Sequence, residues 1–226
     1  MNHLYLVRHG ENVANLTKEF SCNKVDYSLT AKGLLQARQT AVYLRSLHID
    51  EVYCSPLKRA METAQIIGDE LGLPVVVLED LREINVGDLE GRPANAADWK
   101  FHNEILEKWF DGQPQVTFPG GENGVMAWRR ARRAVEYMCA GKSDRNIVAV
   151  GHGGLFTWTL LELCSSVDVN WLRHRDSANC SVSDIMVRST NGRLDCDLVT
   201  WAEYGHLSGE AAALVRGIPD DSDWQK

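Results

Sequence analysis

No stretch of this chain approaches the roughly 20 consecutive apolar residues of a membrane span, so neither a spanning helix nor a membrane partner is expected. Residues 1–7 carry no basic n-region and their apolar run stops at Arg8, which does not fit a signal peptide. Basic charge is in deficit, with a formal net charge of −7. That balance argues against a general nucleic-acid binder, which presents a basic surface. It leaves a small anionic substrate open, because a few arginines in one pocket reverse the local field. The six cysteines (Cys22, Cys54, Cys139, Cys164, Cys180 and Cys196) form no C-x-x-C pair and mostly sit beside apolar residues, as free core thiols do. A reducing cytoplasm is the expected location. Internal repeats and low-complexity linkers are missing too, so 226 residues read as one domain with one substantial core.

What is present is an alternation of strand and helix signals. Residues 3–7 are a short apolar run containing Tyr5 and Val7, read as a buried strand. From Thr30 to about Leu47 the apolar spacing turns helical, with Leu34, Leu35, Ala37, Ala41, Val42 and Leu44 on one side and Thr30 as N-cap. Residues 50–54 read as a second strand, 57–71 as a helix opened by Ser55-Pro56, and 75–78 as a third strand after Gly72 and Pro74. The segment from about 93 to 121 departs from this pattern, setting Trp99, Phe101, Trp109, Phe110 and Phe118 among charges. It reads as an inserted helical excursion and a candidate lid, with Trp109 and Phe110 as packing residues rather than a substrate platform. A long helix over 122–140 carries Arg129, Arg130, Arg132 and Arg133, read as a solvated face pairing with Glu122 and Glu136. A strand at 146–150, a helix at 153–164 and a hairpin of 180–187 with 193–200, turning at Asn191-Gly192, follow. The tail from about 208 to 226 is expected to fray. The implied fold class is α/β, a three-layer α/β/α sandwich around a mostly parallel sheet.

The reactive residues gather at one kind of place. Arg8-His9-Gly10 follows the first strand, Ser55-Pro56-Leu57-Lys58-Arg59 the second, and Gly151-His152-Gly153-Gly154 the strand at 146–150. Leu81-Arg82-Glu83 lies just beyond the third. Ligands of open parallel sheets bind beyond the carboxyl ends of the strands, so all four segments are expected to share one pocket. Two histidines and two arginines suit a phosphoryl group. Arg8 and Arg59 offer planar forks of donors to its oxygens. Gly10, Gly153 and Gly154 let backbone N–H groups approach, and the helix starting near Gly153 points its positive end inward. A neutral His9 imidazole is the expected nucleophile, and His152, if protonated, steadies the equatorial oxygens. Glu83 is placed to protonate the leaving oxygen.

These residues, taken together, resemble the histidine phosphatase superfamily, which includes cofactor-dependent phosphoglycerate mutases and many small-metabolite phosphatases. The resemblance is carried by Arg8-His9-Gly10-Glu11 with Asn15, by Leu29-Thr30-x-x-Gly33, and by Ser55-Pro56-Leu57-x-Arg59-Ala60-x-x-Thr63-Ala64. It continues through Leu81-x-Glu83-x-x-x-Gly87-x-x-Glu90-Gly91, Pro119-Gly120-Gly121-Glu122 and Gly151-His152-Gly153-Gly154, from residue 3 to about 187. It implies a mixed, mainly parallel sheet with one antiparallel strand, His9 as the phosphorylated residue, and a phosphate pocket of Arg8, Arg59 and His152. Asn15 and Ser21 match positions that usually contact the substrate phosphate or its surroundings, and Glu83 matches the usual proton donor. No metal and no other cofactor is implied.

Within that family two activities are expected to compete. Mutases place a basic residue and a tyrosine after the glutamate, whereas Ile84, Asn85 and Val86 stand here. The excursion offers only Arg92, Lys100 and Lys108 as cations. A metal-independent phosphomonoesterase acting on a small phosphorylated metabolite is therefore the expected function, with a phosphoglycerate mutase as the alternative. A pocket kept only for binding usually lacks the nucleophile, an arginine or the second histidine, and all are present. A homodimer is compatible with the sequence.

Overall fold

In a computed structural model describing residues 1–190, 193–217 and 219, the first strand, β1 (Asn2–Arg8), is buried along nearly its whole length. It lies within a six-stranded sheet with β2 (Glu51–Cys54), β3 (Val75–Val77), β4 (Asn146–Gly151), β5 (Val182–Thr190) and β6 (Arg193–Glu203), in the order β3-β2-β4-β1-β5-β6. The β1–β4, β2–β4 and β2–β3 ladders are parallel, and β5 pairs antiparallel with both β1 and β6. One strand thus opposes the other five, as the family resemblance implied.

Side chains alternate across a strand, and β1 divides its apolar residues accordingly. Leu4 and Leu6 join Ile147, Ala149 and Ile185 beneath α5 (Gly124–Cys139) and α6 (Gly153–Leu163), where Met138, Phe156 and Leu160 complete the layer. Tyr5 and Val7 face the other way with Val148 and Val150, against Ala41 and Leu44 of α2 (Ala31–Arg45) and Ala60, Ala64 and Ile67 of α3 (Lys58–Leu71). Covering both faces makes a three-layer sandwich.

Several expectations need correction. Val42 was assigned to the apolar side of α2, but it is 52% exposed; the buried face is Gly33, Gln36, Ala37, Thr40, Ala41 and Leu44. Buried Gln36 and Thr40 are polar, so apolar periodicity missed the true face. The tail expected to fray is docked over its first part. Leu207 and Ala211 are buried beside Ala37, and Gln36 Nε2 donates to Ala211 O at 3.1 Å. Residues 220–226 and the Asn191-Gly192 turn lie outside the described residues.

The excursion contains α4 (Ala96–Phe110), whose N-cap Asn95 accepts from Asp98 N at 2.9 Å. Two short helices, α1 (Val13–Thr17) and α7 (Val169–Arg173), were not expected. Among the described residues no helix is long and apolar enough to cross a membrane.

Candidate active site

Strand register decides which side chains meet. Arg8 lies opposite Gly151 in the β1–β4 ladder, and His9 N donates to Gly151 O at 3.0 Å. Cys54 lies opposite Val150, and Ser55 N donates to Val150 O at 2.9 Å. His9, Ser55 and His152 therefore leave three adjacent strands side by side. The two imidazole centroids are 5.3 Å apart, and both rings are buried. His9 Nδ1 lies 2.7 Å from Gly10 O; a carbonyl only accepts, so Nδ1 carries the proton and Nε2 the lone pair. Arg59 Nε donates to that Nε2 at 3.0 Å. Burial, reinforced by Arg59 and Arg8, holds the His9 imidazole well below its ordinary pKa of 6.5, despite the opposing bond to Gly10. A neutral imidazole is the consequence.

Arg59 organises its surroundings. Nη1 donates to Ser21 Oγ at 3.0 Å, and Nη2 donates to Ser21 O at 2.7 Å and His152 Nδ1 at 3.1 Å. Because His152 Nδ1 accepts, its Nε2 is the protonated nitrogen and donates to Ser55 Oγ at 2.7 Å. Burial first, and Arg59 next, hold His152 well below 6.5, so it is neutral in this structure rather than protonated. Burial pushes Arg59 down to about 10, which leaves it charged at neutral pH. Arg8 donates from Nη1 to the Ser177 carbonyl, and its buried Nε has no hydrogen-bond partner among the described residues. A buried donor left without a partner is costly, and a phosphoryl oxygen would satisfy it.

Glu83 is clasped by backbone. Its carboxylate accepts from Ile84 N at 2.8 Å, Leu155 N at 2.9 Å and Gly154 N at 3.2 Å. The start of α6, expected to face an anionic ligand, is thus turned toward Glu83. The segment carrying Glu83 is fixed from behind by Arg130, which donates to the carbonyls of Asp80, Arg82 and Glu83 and pairs with Glu122 at 2.6 Å. Arg130 is therefore no solvated-face residue; Arg132 with Glu136 and Arg133 with Asp80 are nearer that description. Glu90 acts similarly on the loop after Ser21. One carboxylate oxygen accepts from the backbone N–H of Cys22, Asn23, Lys24 and Val25 at 2.7–3.1 Å. Burial pushes the Glu90 pKa up, but those four bonds outweigh it and hold it below the ordinary value.

Arg8, His9, Asn15, Ser21, Arg59, Glu83 and Gly153 all line one cavity of about 230 Å³. Gly10 and His152 are not on its wall. Gly10 N donates to Thr63 Oγ1 at 3.1 Å, and a Cβ there would lie 2.6 Å from Gly33 O, so this glycine serves close packing rather than ligand contact. Gly33 is the partner of that approach, which explains Thr30-x-x-Gly33: a Cβ on Gly33 would stand 2.1 Å from Glu11 O. His152 lies behind Arg59. Asn15 accepts from Asn179 Nδ2 at 3.0 Å, and the same Nδ2 donates to His9 O. Asn179 and Ser177 were missed, because residues 174–181 form a loop with no motif to mark it. Trp109 is buried and donates from Nε1 to Val116 O, and Phe110 packs edge-on to Trp158, so both are the packing residues expected, while Phe110 also lines the cavity. Among the described residues no group of three or more His, Cys, Asp or Glu is arranged to hold a metal ion.

This architecture is that of the phosphoglycerate mutase-like phosphatases. The structure of mycobacterial glucosyl-3-phosphoglycerate phosphatase complexed with VO3 superposes with a TM-score of 0.76 at 25% identity, covering 90% of this chain and all of that one. The chain belongs to the histidine phosphatase superfamily (branch 1), whose family model matches residues 4–201. The uncharacterized phosphatase PhoE of Bacillus subtilis is 40% identical over 163 residues, 72% of this chain and 78% of its own length. A protein of Erwinia tasmaniensis named probable phosphoglycerate mutase GpmB is 32% identical over 192 residues, 82% of this chain and 85% of its own.

Proposed function

We propose that the chain is a metal-independent phosphomonoesterase that hydrolyses a small phosphorylated metabolite through a phosphohistidine on His9. The observation that carries the reading is the tautomer of His9, neutral, buried and fixed by Gly10 O, with its lone pair directed at the Arg59 guanidinium. Phosphoryl oxygens compete for the donors of Arg59 and take the unpartnered Nε of Arg8, which frees His9 Nε2 to attack. In the first step an Nε2–P bond forms while the ester P–O bond breaks, and Glu83 in its acid form protonates the departing oxygen. In the second step water attacks phosphorus, its proton returns to Glu83, and the N–P bond breaks to release inorganic phosphate. His152 steadies Arg59, and the charge of a bound phosphoryl group favours its protonation.

Arg8 and Arg59 supply the positive charge that a metal supplies elsewhere, which supports the metal-independent reading. The excursion favours hydrolysis over the mutase alternative. None of Arg92, Lys100 and Lys108 lines the cavity, so the excursion brings no cation to hold a second phosphate. The chain then acts as one domain whose excursion over 93–121 walls the pocket through Trp99 and Phe110. Six free and buried thiols support a reducing compartment such as the cytoplasm. Turnover of p-nitrophenyl phosphate in excess EDTA tests the reading: unchanged phosphate release is expected, and loss of turnover restored by a divalent cation would overturn it.

A further inference from the structure

The cavity has two unlike halves. Arg8, His9, Arg59 and Glu83 form one; Phe20, Ile84, Trp99, Leu106, Phe110 and Trp158 wall the other. Phe20 stacks on Trp99 with ring centroids 4.5 Å apart, and His102 continues the cluster 5.1 Å from each ring. His102 presents no positive charge at neutral pH, because burial pushes its pKa down to about 4. Two further cations line the cavity. Arg173 pairs with Glu107 at 3.2 Å and Asp111 at 2.5 Å and lies 5.4 Å over the Phe110 ring, and Arg175 is exposed, 4.3 Å over the Trp171 ring. Two carboxylates, Glu19 and Asp176, also border the cavity. A carboxylate or second phosphate on the substrate would find mostly aromatic faces there, and would have to compete with Glu107 and Asp111 for Arg173. An apolar ring would find offset and edge-on partners.

Size points the same way. An apolar cavity of about 150 Å³ accepts a benzene-sized ring, so a cavity of about 230 Å³ leaves room for one beside the phosphate half. We propose that this aromatic chamber selects phosphomonoesters whose leaving alcohol carries a flat apolar ring, over esters of polyols and of hydroxy acids. The proposal rests on the phosphomonoesterase reading and adds to it the substrate class.

The test compares kcat/KM of the full chain for phenethyl phosphate, glycerol 3-phosphate and 3-phosphoglycerate. All three are alkyl esters with poor leaving groups, so the comparison reads recognition rather than activation. Phenethyl phosphate is expected to be preferred by at least about tenfold, the scale on which apolar pockets discriminate. Equal or better turnover of either polar ester would overturn the chamber proposal while leaving the phosphatase reading intact. Absence of phosphate release from all three, and from p-nitrophenyl phosphate, would instead overturn the phosphatase reading and the chamber with it. Phe110→Ala and Leu106→Gln, both at half-buried positions, are each expected to cut the phenethyl-to-glycerol preference by about tenfold. An unchanged preference in both folded variants would contradict the assignment, and if neither folds, the unsubstituted chain's panel decides.

Discussion

The phosphate half of the cavity and its aromatic half share one wall and are held by different forces. In the phosphate half every charged side chain is fixed by directional bonds: Arg59 by Ser21 and both histidines, and Glu83 by three backbone N–H groups. Those bonds descend from the register of β1, β2 and β4. In the aromatic half the positions are set by packing of rings from the loop at Phe20, from α4 and from α6, with no strand register behind them. A reaction that needs sub-ångström placement is thus seated on the sheet, and recognition is left to elements that tolerate change. Substitutions in the two halves are expected to differ in kind: one set acts on all esters alike, the other according to the alcohol.

The largest effect is expected from His9→Ala, which removes the proposed nucleophile. Phosphate release should fall by about a thousandfold or more for every ester tested; a variant that keeps near-normal rates on a ring-bearing ester alone would dissolve the division between halves. Glu83→Gln should follow, with a loss of about a hundredfold in kcat on alkyl esters. The loss should be much smaller on p-nitrophenyl phosphate, whose leaving group needs no proton, and a uniform loss on both would contradict the proton-transfer role. Glu90→Ala is expected to be milder. It leaves four N–H groups of residues 22–25 without their acceptor, loosening the hold of Ser21 on Arg59 and lowering kcat/KM by about tenfold for all esters. An effect confined to one alcohol would place Glu90 in the recognition half instead.

Proton linkage gives the smallest and broadest effect. His9, His102 and His152 are held below 6.5 in the folded chain by burial, whereas an unfolded histidine titrates near 6.5. Below that pH the unfolded state binds more protons, so stability is full above about 6.5 and is lost as pH falls beneath it. Each histidine contributes up to about 1.4 kcal/mol per pH unit. The melting temperature is therefore expected to drop between about pH 7 and 5.5, and an unchanged or higher value would contradict neutral burial of these rings.

The phosphate half was largely legible in the sequence because its residues sit within a few positions of strand ends. Where the reading failed, a residue type allowed two physical roles. A glycine after Arg8-His9 suits either ligand approach or close packing, and Gly10 packs against Gly33. An arginine on an amphipathic helix suits either solvent or a clamp, and Arg130 binds the carbonyls behind Glu83. The same ambiguity hid that α6 begins on Glu83 rather than on a ligand. The aromatic half was not legible as a site. Phe20, Ile84 and Trp158 are spaced like core residues, and only the path of the excursion shows that they face a cavity.

The central claim is that phosphate passes through His9 before reaching water. Its most direct test is the stereochemical course at phosphorus, followed with a phosphorothioate ester made chiral by two oxygen isotopes and hydrolysed in water carrying the third. Two in-line displacements, onto His9 and then onto water, predict net retention of configuration. Net inversion would mean that water attacks the ester directly and would contradict the account.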